Sequence, residues 1–264
     1  GDWALIAAAT AAALTFGWAA VPVALLVIGN RQRALGNLLH DASHWSFDGN
    51  RRRSRILANL LLCWPLWVSM ALYRDEHGRH HRHLGDPARD PDYIHDAARL
   101  GRGWVAVWLD QLGRMGWRAR LGVLGWWASA LALVSAAAGA EAALVFLALW
   151  VGARATVFHA ITAFREISDH VGLTPGGLIG FSRNHPFGGV IGQLVHPHHN
   201  GYHLLHHLCP GIPFHAMPRA HILLLRWPDY AAGEHCDSYF SGPLSAVRSW
   251  TRRWTPAAAA PERI

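Results

Sequence analysis

Long apolar runs separated by short arginine-rich segments set the pattern of the chain. The first run, Trp3 to Ile28, is apolar throughout. It is long enough for one tilted membrane crossing of roughly 20 residues and too short for two full ones, although Gly17 and Pro22 also permit a hairpin. Two later runs, Leu121 to Ala138 and Ala142 to Phe158, are joined by a turn without arginine. They predict a transmembrane hairpin whose turn faces outward.

A shorter apolar run, Ile56 to Tyr73, has arginine on both sides. Arg55 precedes its first residue and Arg74 follows its last, so the positive-inside rule places both ends on the cytoplasmic side. Pro65, near the centre of the run, breaks a helix. We therefore predict an interfacial or re-entrant helix that enters the bilayer and leaves it by the same side.

The remaining segments complete a membrane fold. Gly103 to Trp117 spaces its tryptophans as an amphipathic interfacial helix does. After Arg165 the chain is rich in glycine, proline and histidine. The predicted fold class is an all-α integral membrane protein with transmembrane helical hairpins, interfacial helices and a cytoplasmic His-rich cap. Residues 1–264 are expected to form a single domain with about four transmembrane helices.

Composition agrees with a membrane location. Hydrophobic residues make up 52% of the 264 residues, and 14 residues are tryptophan, which is unusual for a water-soluble protein. All 24 basic residues are arginine, but they lie at the borders of apolar runs and not along one face. We therefore expect a lipid bilayer and no nucleic acid as partner. The expected location is a bacterial inner membrane, with the active site on the cytoplasmic side.

Two sequence features exclude other classes of protein. The first apolar run has no basic segment before it and no small-residue cleavage site, so we expect it to remain in the mature protein. The three cysteines, Cys63, Cys209 and Cys236, are widely separated and form no CxxC pair. This spacing argues against a disulfide framework, a zinc ribbon and a rubredoxin-like module.

Histidine spacing points to the chemistry of the chain. The sequence has 19 histidines, and some of them form an HxxxH motif at 40–44 and HxxHH motifs at 77–81 and 203–207. Residues three and four apart share one face of a helix, so the imidazoles of one motif can point at one metal. Three such motifs beside apolar segments on the same predicted side indicate a shared metal centre. Its predicted ligands are His40, His44, His77, His80, His81, His203, His206 and His207.

Further candidates lie near these motifs. His170 follows the transmembrane hairpin, and we expect it to be a ninth ligand. Glu166 and His159 fall at helical spacing from His170, and His199 precedes His203 by four residues, so their participation stays open. The other histidines are expected to be solvent-facing or hydrogen-bonded loop residues. They are His83, His95, His185, His196, His198, His215, His221 and His235.

Eight or nine imidazoles are more than one metal needs. Zinc is satisfied by three or four protein ligands. The set therefore implies two metals that can change oxidation state and keep positions open for oxygen, and iron is the expected element. Nearby carboxylates can accept hydrogen bonds from the imidazole N–H groups, or can pair with neighbouring arginines. The candidate carboxylates are Asp41, Asp90, Asp92 and Glu166.

The motifs resemble those of a known family. HDASH at 40–44, HGRHH at 77–81 and HLLHH at 203–207 resemble the three histidine boxes of the membrane fatty acid desaturase superfamily. Gly85 to Tyr93 resembles the segment after the second box in desaturases and carotenoid ketolases. Asn200 to Phe214 resembles the surroundings of the third box in bacterial desaturases. The resemblance covers most of the chain.

The resemblance implies oxygen-dependent chemistry at two irons. Dioxygen activation there leads to hydrogen abstraction from an unactivated aliphatic carbon, followed by a second abstraction to an alkene or by oxygen rebound to an alcohol. It also implies that the eight motif histidines and His170 are the catalytic metal ligands. No fused haem or rubredoxin-like donor is visible in the sequence. A separate electron donor, such as a ferredoxin with its reductase, is therefore an expected partner.

Three functional hypotheses follow. The leading one is desaturation of a fatty acyl or lipid-like chain. A hydroxylase or ketolase acting on a carotenoid, an alkane or a small amino-acid-derived substrate would share every ligand. A histidine-rich metal transporter or sensor would instead need ionisable groups within the crossings. The hairpin from Leu121 to Phe158 has only Glu141 at its turn and Arg154 near its end, which disfavours that hypothesis.

Overall fold

Helices form almost all of the regular structure in the computed structural model, which describes residues 1–93, 104–185 and 188–250. The first part of the chain contains α1 (Asp2–Phe16), α2 (Val21–Ser43), α3 (Arg51–Ala58) and α4 (Met70–His83). The middle part contains α5 (Trp104–Arg114), α6 (Trp117–Ala138), α7 (Ala140–Ala153) and α8 (His159–His170). The last part contains α9 (Gly189–Val195), α10 (His203–Leu208), α11 (Met217–Leu224), α12 (Pro228–Ala231) and α13 (Ala246–Trp250).

Helices α1 and α2 form an antiparallel hairpin. Helix α1 ends at Gly17, whose φ of 61° suits a residue without a Cβ atom. Arg31 Nη1 on α2 lies 3.0 Å from Asp2 Oδ1 at the start of α1, so the two helices run side by side in opposite directions. Ile6 and Ile28 are buried in the core that these helices share. The first apolar run therefore forms the hairpin and not the single tilted crossing.

Helices α6 and α7 form the predicted transmembrane hairpin. Gly139 connects them with a φ of 92°, a backbone conformation that glycine adopts without steric cost. Among the described residues, three segments are long and apolar enough to cross a membrane, namely Asp2–Ala19, Trp117–Ala138 and Ala140–His170. The last of them passes from α7 through the π-helical turn Arg154–Phe158 into α8. A transmembrane helix thus continues directly to a histidine of the candidate site.

The apolar run after α3 is broken, as its proline predicts. Helix α3 continues into the π-helical segment Asn59–Cys63, and the chain then turns before Ser69, whose Oγ accepts a hydrogen bond from Leu72 N and caps α4. Arg74 Nε on α4 donates to Ser43 O at 2.9 Å. Helix α4 therefore begins beside the end of α2, so the histidines before and after this run lie on the same side of it.

The amphipathic helix is shorter than predicted. Helix α5 ends at Arg114, and Trp117 already belongs to α6, while Gly103 lies outside the described residues. Arg120 explains the break, because its Nε donates to Met115 O at 2.8 Å and its Nη2 donates to Gly113 O at 2.7 Å. These bonds satisfy backbone carbonyls that the end of a helix leaves without partners.

The last part of the chain covers the ends of α2 and α8 as a layer of short helices. Asn30 Nδ2 and Asn37 Nδ2 on α2 donate to Leu194 O at 2.7 Å and Pro197 O at 2.6 Å, respectively. Two short parallel strands, β1 (Arg183–Asn184) and β2 (Glu234–His235), join its two halves. With two residues in each strand, this small sheet is a minor element of an all-α fold. The layer is the predicted His-rich cap, and it carries the third histidine motif on α10.

Candidate metal centre

Histidines from the ends of α2, α4, α8 and α10 converge into two groups of four. Within each group the candidate ligand nitrogens all lie within 4.8 Å of one another. The first group comprises His40, His44, His77 and His206, and the second comprises His80, His170, His203 and His207. The structure thus brings the three sequence motifs and the predicted ninth histidine to one place.

Short distances between ring nitrogens define the first group. His44 Nε2 lies 2.8 Å from His77 Nε2. His81 Nε2 lies 3.1 Å from His77 Nε2 and 2.8 Å from His206 Nε2. The His81 ring also lies 4.5 Å from the ring of His207, which belongs to the second group. His81 therefore stands at the edge of the first group and contacts both.

Short distances between ring nitrogens also define the second group. His203 Nε2 lies 2.9 Å from His170 Nε2 and 3.0 Å from His207 Nε2. His80 Nε2 lies 3.3 Å from His207 Nε2. His203 and His207 are four residues apart on α10, so they share a face, whereas His206 points to the first group. One short helix therefore contributes to both groups.

The donor chemistry fits metal binding better than hydrogen bonding. A neutral imidazole carries one N–H, so several Nε2 atoms that face one another cannot all be satisfied as donors. Metal–imidazole bonds of about 2.0–2.1 Å place neighbouring ligand nitrogens roughly 3 Å apart. Burial lowers the pKa of His44 to about 3 and holds the pKa values of His77 and His206 well below the usual range. The unprotonated rings are the form that binds a metal.

Asp90 orients one histidine of the second group, which is one of the two roles that the sequence leaves open for it. His80 Nδ1 donates to Asp90 Oδ1 at 2.8 Å, and the same carboxylate accepts hydrogen bonds from the backbone N–H groups of Gly85 and Asp92 at 2.9 Å. Burial opposes ionisation of Asp90, but these hydrogen bonds lower its pKa below the usual value. Because Nδ1 carries the proton in this hydrogen bond, His80 Nε2 keeps a lone pair that faces the second group and can bind a metal. Asp92 Oδ2 lies farther away, at 3.9 Å from His80 Nδ1.

Two other histidines have oxygen atoms behind them. His170 Nδ1 donates to the backbone oxygen of Phe181 at 2.7 Å. Asp41 Oδ1 lies 3.7 Å from His40 Nδ1, and Asp41 Oδ2 accepts a hydrogen bond from Phe214 N at 2.9 Å. Asp41 therefore connects the first motif to the cap more closely than it contacts its neighbouring histidine.

Three residues whose role as ligands the sequence leaves open lie outside both histidine groups. Among the described residues, neither group of four includes His159, Glu166 or His199. The side chains of Glu166 and His199 are exposed, and His199 has a φ of 60° in a turn before α10. Of the loop histidines in the sequence analysis, His95 lies outside the described residues.

A third buried group, which the sequence analysis missed, lies behind the second. Asp169, His185 and His196 place candidate ligand atoms within 4.8 Å of one another. His196 Nδ1 lies 2.6 Å from the hydroxyl of Tyr239. Although His196 was expected among the solvent-facing or hydrogen-bonded loop residues, it is buried as well as hydrogen-bonded. The sequence signal for this group is only the adjacency of Asp169 and His170.

An apolar cavity of about 530 Å³ lies apart from the histidines, between the transmembrane hairpin and α5. Its walls come from α5, α6, α7 and the turn before α4. No histidine of the two groups lines it. The wall includes Trp67, Trp108, Leu112, Met115, Val123, Trp127 and Leu147.

Comparison with known proteins places this arrangement in a family. The model of the fatty acid desaturase family matches residues 16–241, a span that contains all nine predicted ligands. The chain belongs to the fatty acid desaturase family. As a desaturase-family protein with three candidate membrane-spanning segments, it is an all-α integral membrane oxidoreductase of the desaturase and hydroxylase type.

Two similar proteins show the range of this family. The dihydrorhizobitoxine desaturase of Bradyrhizobium elkanii is 26% identical to this desaturase-family protein over 263 residues, which cover 87% of this chain and 75% of that protein. The zeaxanthin 4-ketolase of Chlamydomonas reinhardtii is 29% identical over 110 residues, which cover 41% of this chain and 23% of that protein. The second similarity thus involves less than a quarter of the ketolase.

Proposed function

We propose that the protein is an O2-dependent di-iron enzyme that desaturates an aliphatic substrate by C–H abstraction. The observation that carries this proposal is the pair of four-histidine groups on the helices of a desaturase-family fold. When bound, two reduced irons supply dioxygen activation and the abstraction of hydrogen from an unactivated carbon. The chain itself contributes the ligands, their orientation and the surroundings of the substrate.

Each group would hold one iron. His40, His44, His77 and His206 suit the first, and His80, His170, His203 and His207 suit the second, with His81 at the boundary. An all-imidazole set of this size favours a redox metal over zinc, which is satisfied by fewer ligands. Hydrogen bonds from His80 to Asp90 and from His170 to Phe181 O would keep the Nε2 atoms of these rings directed at the metals.

The proposal includes a separate electron donor, such as a ferredoxin with its reductase. Helix α3 follows the first motif and presents an exposed basic surface formed by Arg51, Arg52, Arg53 and Arg55. A surface of this sign suits an acidic redox partner, because complementary charge speeds association. The same arginines support a location in a bacterial inner membrane with the active site on the cytoplasmic side.

A hydroxylase or ketolase is the second candidate, and the similarity to a protein named zeaxanthin 4-ketolase favours it. It would use the same ligands and differ in the fate of the carbon radical. The family name supports a fatty acyl or lipid-like substrate, whereas carotenoids, alkanes and small amino-acid-derived molecules are the alternatives. Family membership argues against the transporter or sensor hypothesis.

Metal content and product mass test the proposal together. Elemental analysis of the purified protein, with zinc and manganese counted in parallel, is expected to give about two irons per chain. With a reductant and a substrate, the product is expected to lose two hydrogens, whereas a hydroxylase would add one oxygen. Stoichiometric zinc that survives iron reconstitution, with no oxygen consumption, would refute the proposed function.

A further inference from the structure

A polar set of side chains lies one or two helical turns before the candidate ligands. Residues three, four or seven positions apart lie on the same face of a helix, so these side chains point toward the same space as the histidines that follow them. The set, which we call the polar floor, comprises Arg33 before His40 on α2, Tyr73 before His77 on α4, and Glu166 before His170 on α8.

The three side chains of the polar floor lie near one another. Arg33 is within electrostatic range of both Tyr73 and Glu166. The Tyr73 ring stacks on His77 with the ring centroids 5.6 Å apart. Glu166, one helical turn before His170, is exposed, so a ligand can reach its carboxylate. Charged and polar side chains therefore lie one or two helical turns from the candidate metal ligands.

Neither Arg33 nor Glu166, the two charged side chains of the polar floor, forms an ion pair with a described residue. Within residues 1–93, 104–185 and 188–250, neither Arg33 nor Glu166 has an oppositely charged group within 4.0 Å. Arg33 is buried, and its Nε and Nη2 donate to the neutral amide oxygen of Asn37 at 3.0 and 2.5 Å. Arg165, in contrast, pairs with Asp169 at 3.1 Å. Because burial of a charge that lacks a close ion-pair partner is costly, Arg33 is well suited to receive a charged ligand.

Distance limits the size of that ligand. One helical turn rises about 5.4 Å, so the polar floor lies within one or two turns of the metal ligands. Any charged group bound there is separated by only a few carbon–carbon bonds from the carbon that faces the metals. A long acyl chain oxidised at its middle would instead keep its charged head much farther away and would place apolar methylenes against Arg33 and Glu166.

We propose that this site binds a short aliphatic substrate that carries both a carboxylate and an ammonium group, as an amino acid does. Arg33 binds the carboxylate, the Tyr73 hydroxyl donates a further hydrogen bond to it, and Glu166 binds the ammonium group. This arrangement holds an aliphatic carbon of the substrate against the two histidine groups. The inference rests on the proposed function, because it names the substrate class of that same centre.

Binding of matched probes to the iron-reconstituted protein, without oxygen, tests the inference. L-norleucine carries both charges, hexanoate and hexylamine each carry one, palmitate has a long chain, and dioctanoyl phosphatidylethanolamine is a zwitterionic lipid. The readouts are the dissociation constant from calorimetry and the near-infrared circular dichroism of the ferrous centre. We expect norleucine to alter the spectrum and to bind roughly tenfold or more tightly than either single-charge probe, since each charge-assisted contact adds affinity.

Two variants separate the two charges. Glu166→Gln is expected to weaken norleucine binding roughly tenfold or more and to leave hexanoate binding unchanged. Arg33→Gln is expected to weaken norleucine similarly and to leave hexylamine binding unchanged. Glu141→Gln, at the exposed turn between α6 and α7, is the matched control and should behave as the parent protein. Glu166 is accessible, so its variant remains informative even if the buried Arg33 variant fails to fold.

Contrary outcomes distinguish this inference from the proposed function. If the iron-loaded protein binds palmitate or the phospholipid and not norleucine, the inference is overturned and the di-iron function stands. Equal binding of norleucine, hexanoate and hexylamine would also overturn it. If norleucine binds with the expected response to both variants but the protein takes up no iron, the pocket stands and the proposed function fails.

Discussion

The Nδ1 atom of His203 lies 3.8 Å from Oδ2 of Asp169, so a buried carboxylate stands behind a candidate ligand of the second group. The same oxygen lies 3.1 Å from Arg165 Nη1. Asp169 Oδ1 lies 3.7 Å from His196 Nε2 on its other side. Asp169 thus joins α8 to the cap at the point where the third histidine motif begins.

We expect Asp169→Asn to weaken metal binding at the second group. The variant removes the negative charge that faces His203 and Arg165, and loss of such an outer partner typically costs 10- to 100-fold in metal affinity or activity. Metal content after dialysis and turnover number would measure the effect. Asp229→Asn, at an exposed position, is the control. Unchanged metal retention in Asp169→Asn would show that the carboxylate serves packing alone.

His206→Ala is expected to abolish turnover and to leave the protein in the membrane. His206 belongs to the first group, and its ring nitrogen lies 2.8 Å from His81 Nε2. The transmembrane helices do not depend on it for their packing. Turnover, metal content and the amount of protein in the membrane fraction would be compared with those of His215→Ala, an exposed histidine of the cap. Residual turnover near the parent level would contradict the assignment of this motif.

Asp90→Ala is expected to reduce metal retention more than Asp86→Ala. Asp90 is buried and holds His80 through a 2.8 Å hydrogen bond, whereas the side chain of Asp86, in the same loop, is hydrogen-bonded to Ala88 and Arg89. The expected loss for Asp90→Ala is about 10- to 100-fold in metal affinity. Competition with a metal chelator would measure it, and equal chelator sensitivity of the two variants would count against the role of Asp90.

Gly29→Ala is expected to destabilise the packing of α2 on the turn before α8. A Cβ atom at Gly29 would lie 2.6 Å from Val157 Cβ, too close for two carbon atoms. Overpacking of this kind costs about 1–3 kcal/mol. Gly125→Ala is the matched control, since its Cβ would meet nothing within 4 Å. Thermal unfolding in detergent would measure both, and similar midpoints would show that the helices shift apart without cost.

Local spacing predicted the candidate ligands, and long-range contacts decided what surrounds them. The HxxHH motif at 77–81 places its imidazoles on one face of a helix, and that periodicity is visible in the sequence. The approach of Asp169 to His203 depends on how α8 meets the cap, for which the sequence has no comparable signal. Likewise, the turn at Gly17 and the end of α5 depend on contacts such as Arg31 with Asp2 and Arg120 with Met115.

Each histidine group draws its members from distant parts of the chain, so the rate at which the protein is degraded is expected to depend on the supply of metal. His40 and His206 share one group although they lie on the first hairpin and in the cap. A metal bound by both residues would hold the hairpin and the cap together, and its binding free energy would add to the stability of the folded chain. Without metal, the cap would separate from the helices more often and become accessible to proteases. Cells short of iron would then be expected to lose the enzyme itself as well as its activity.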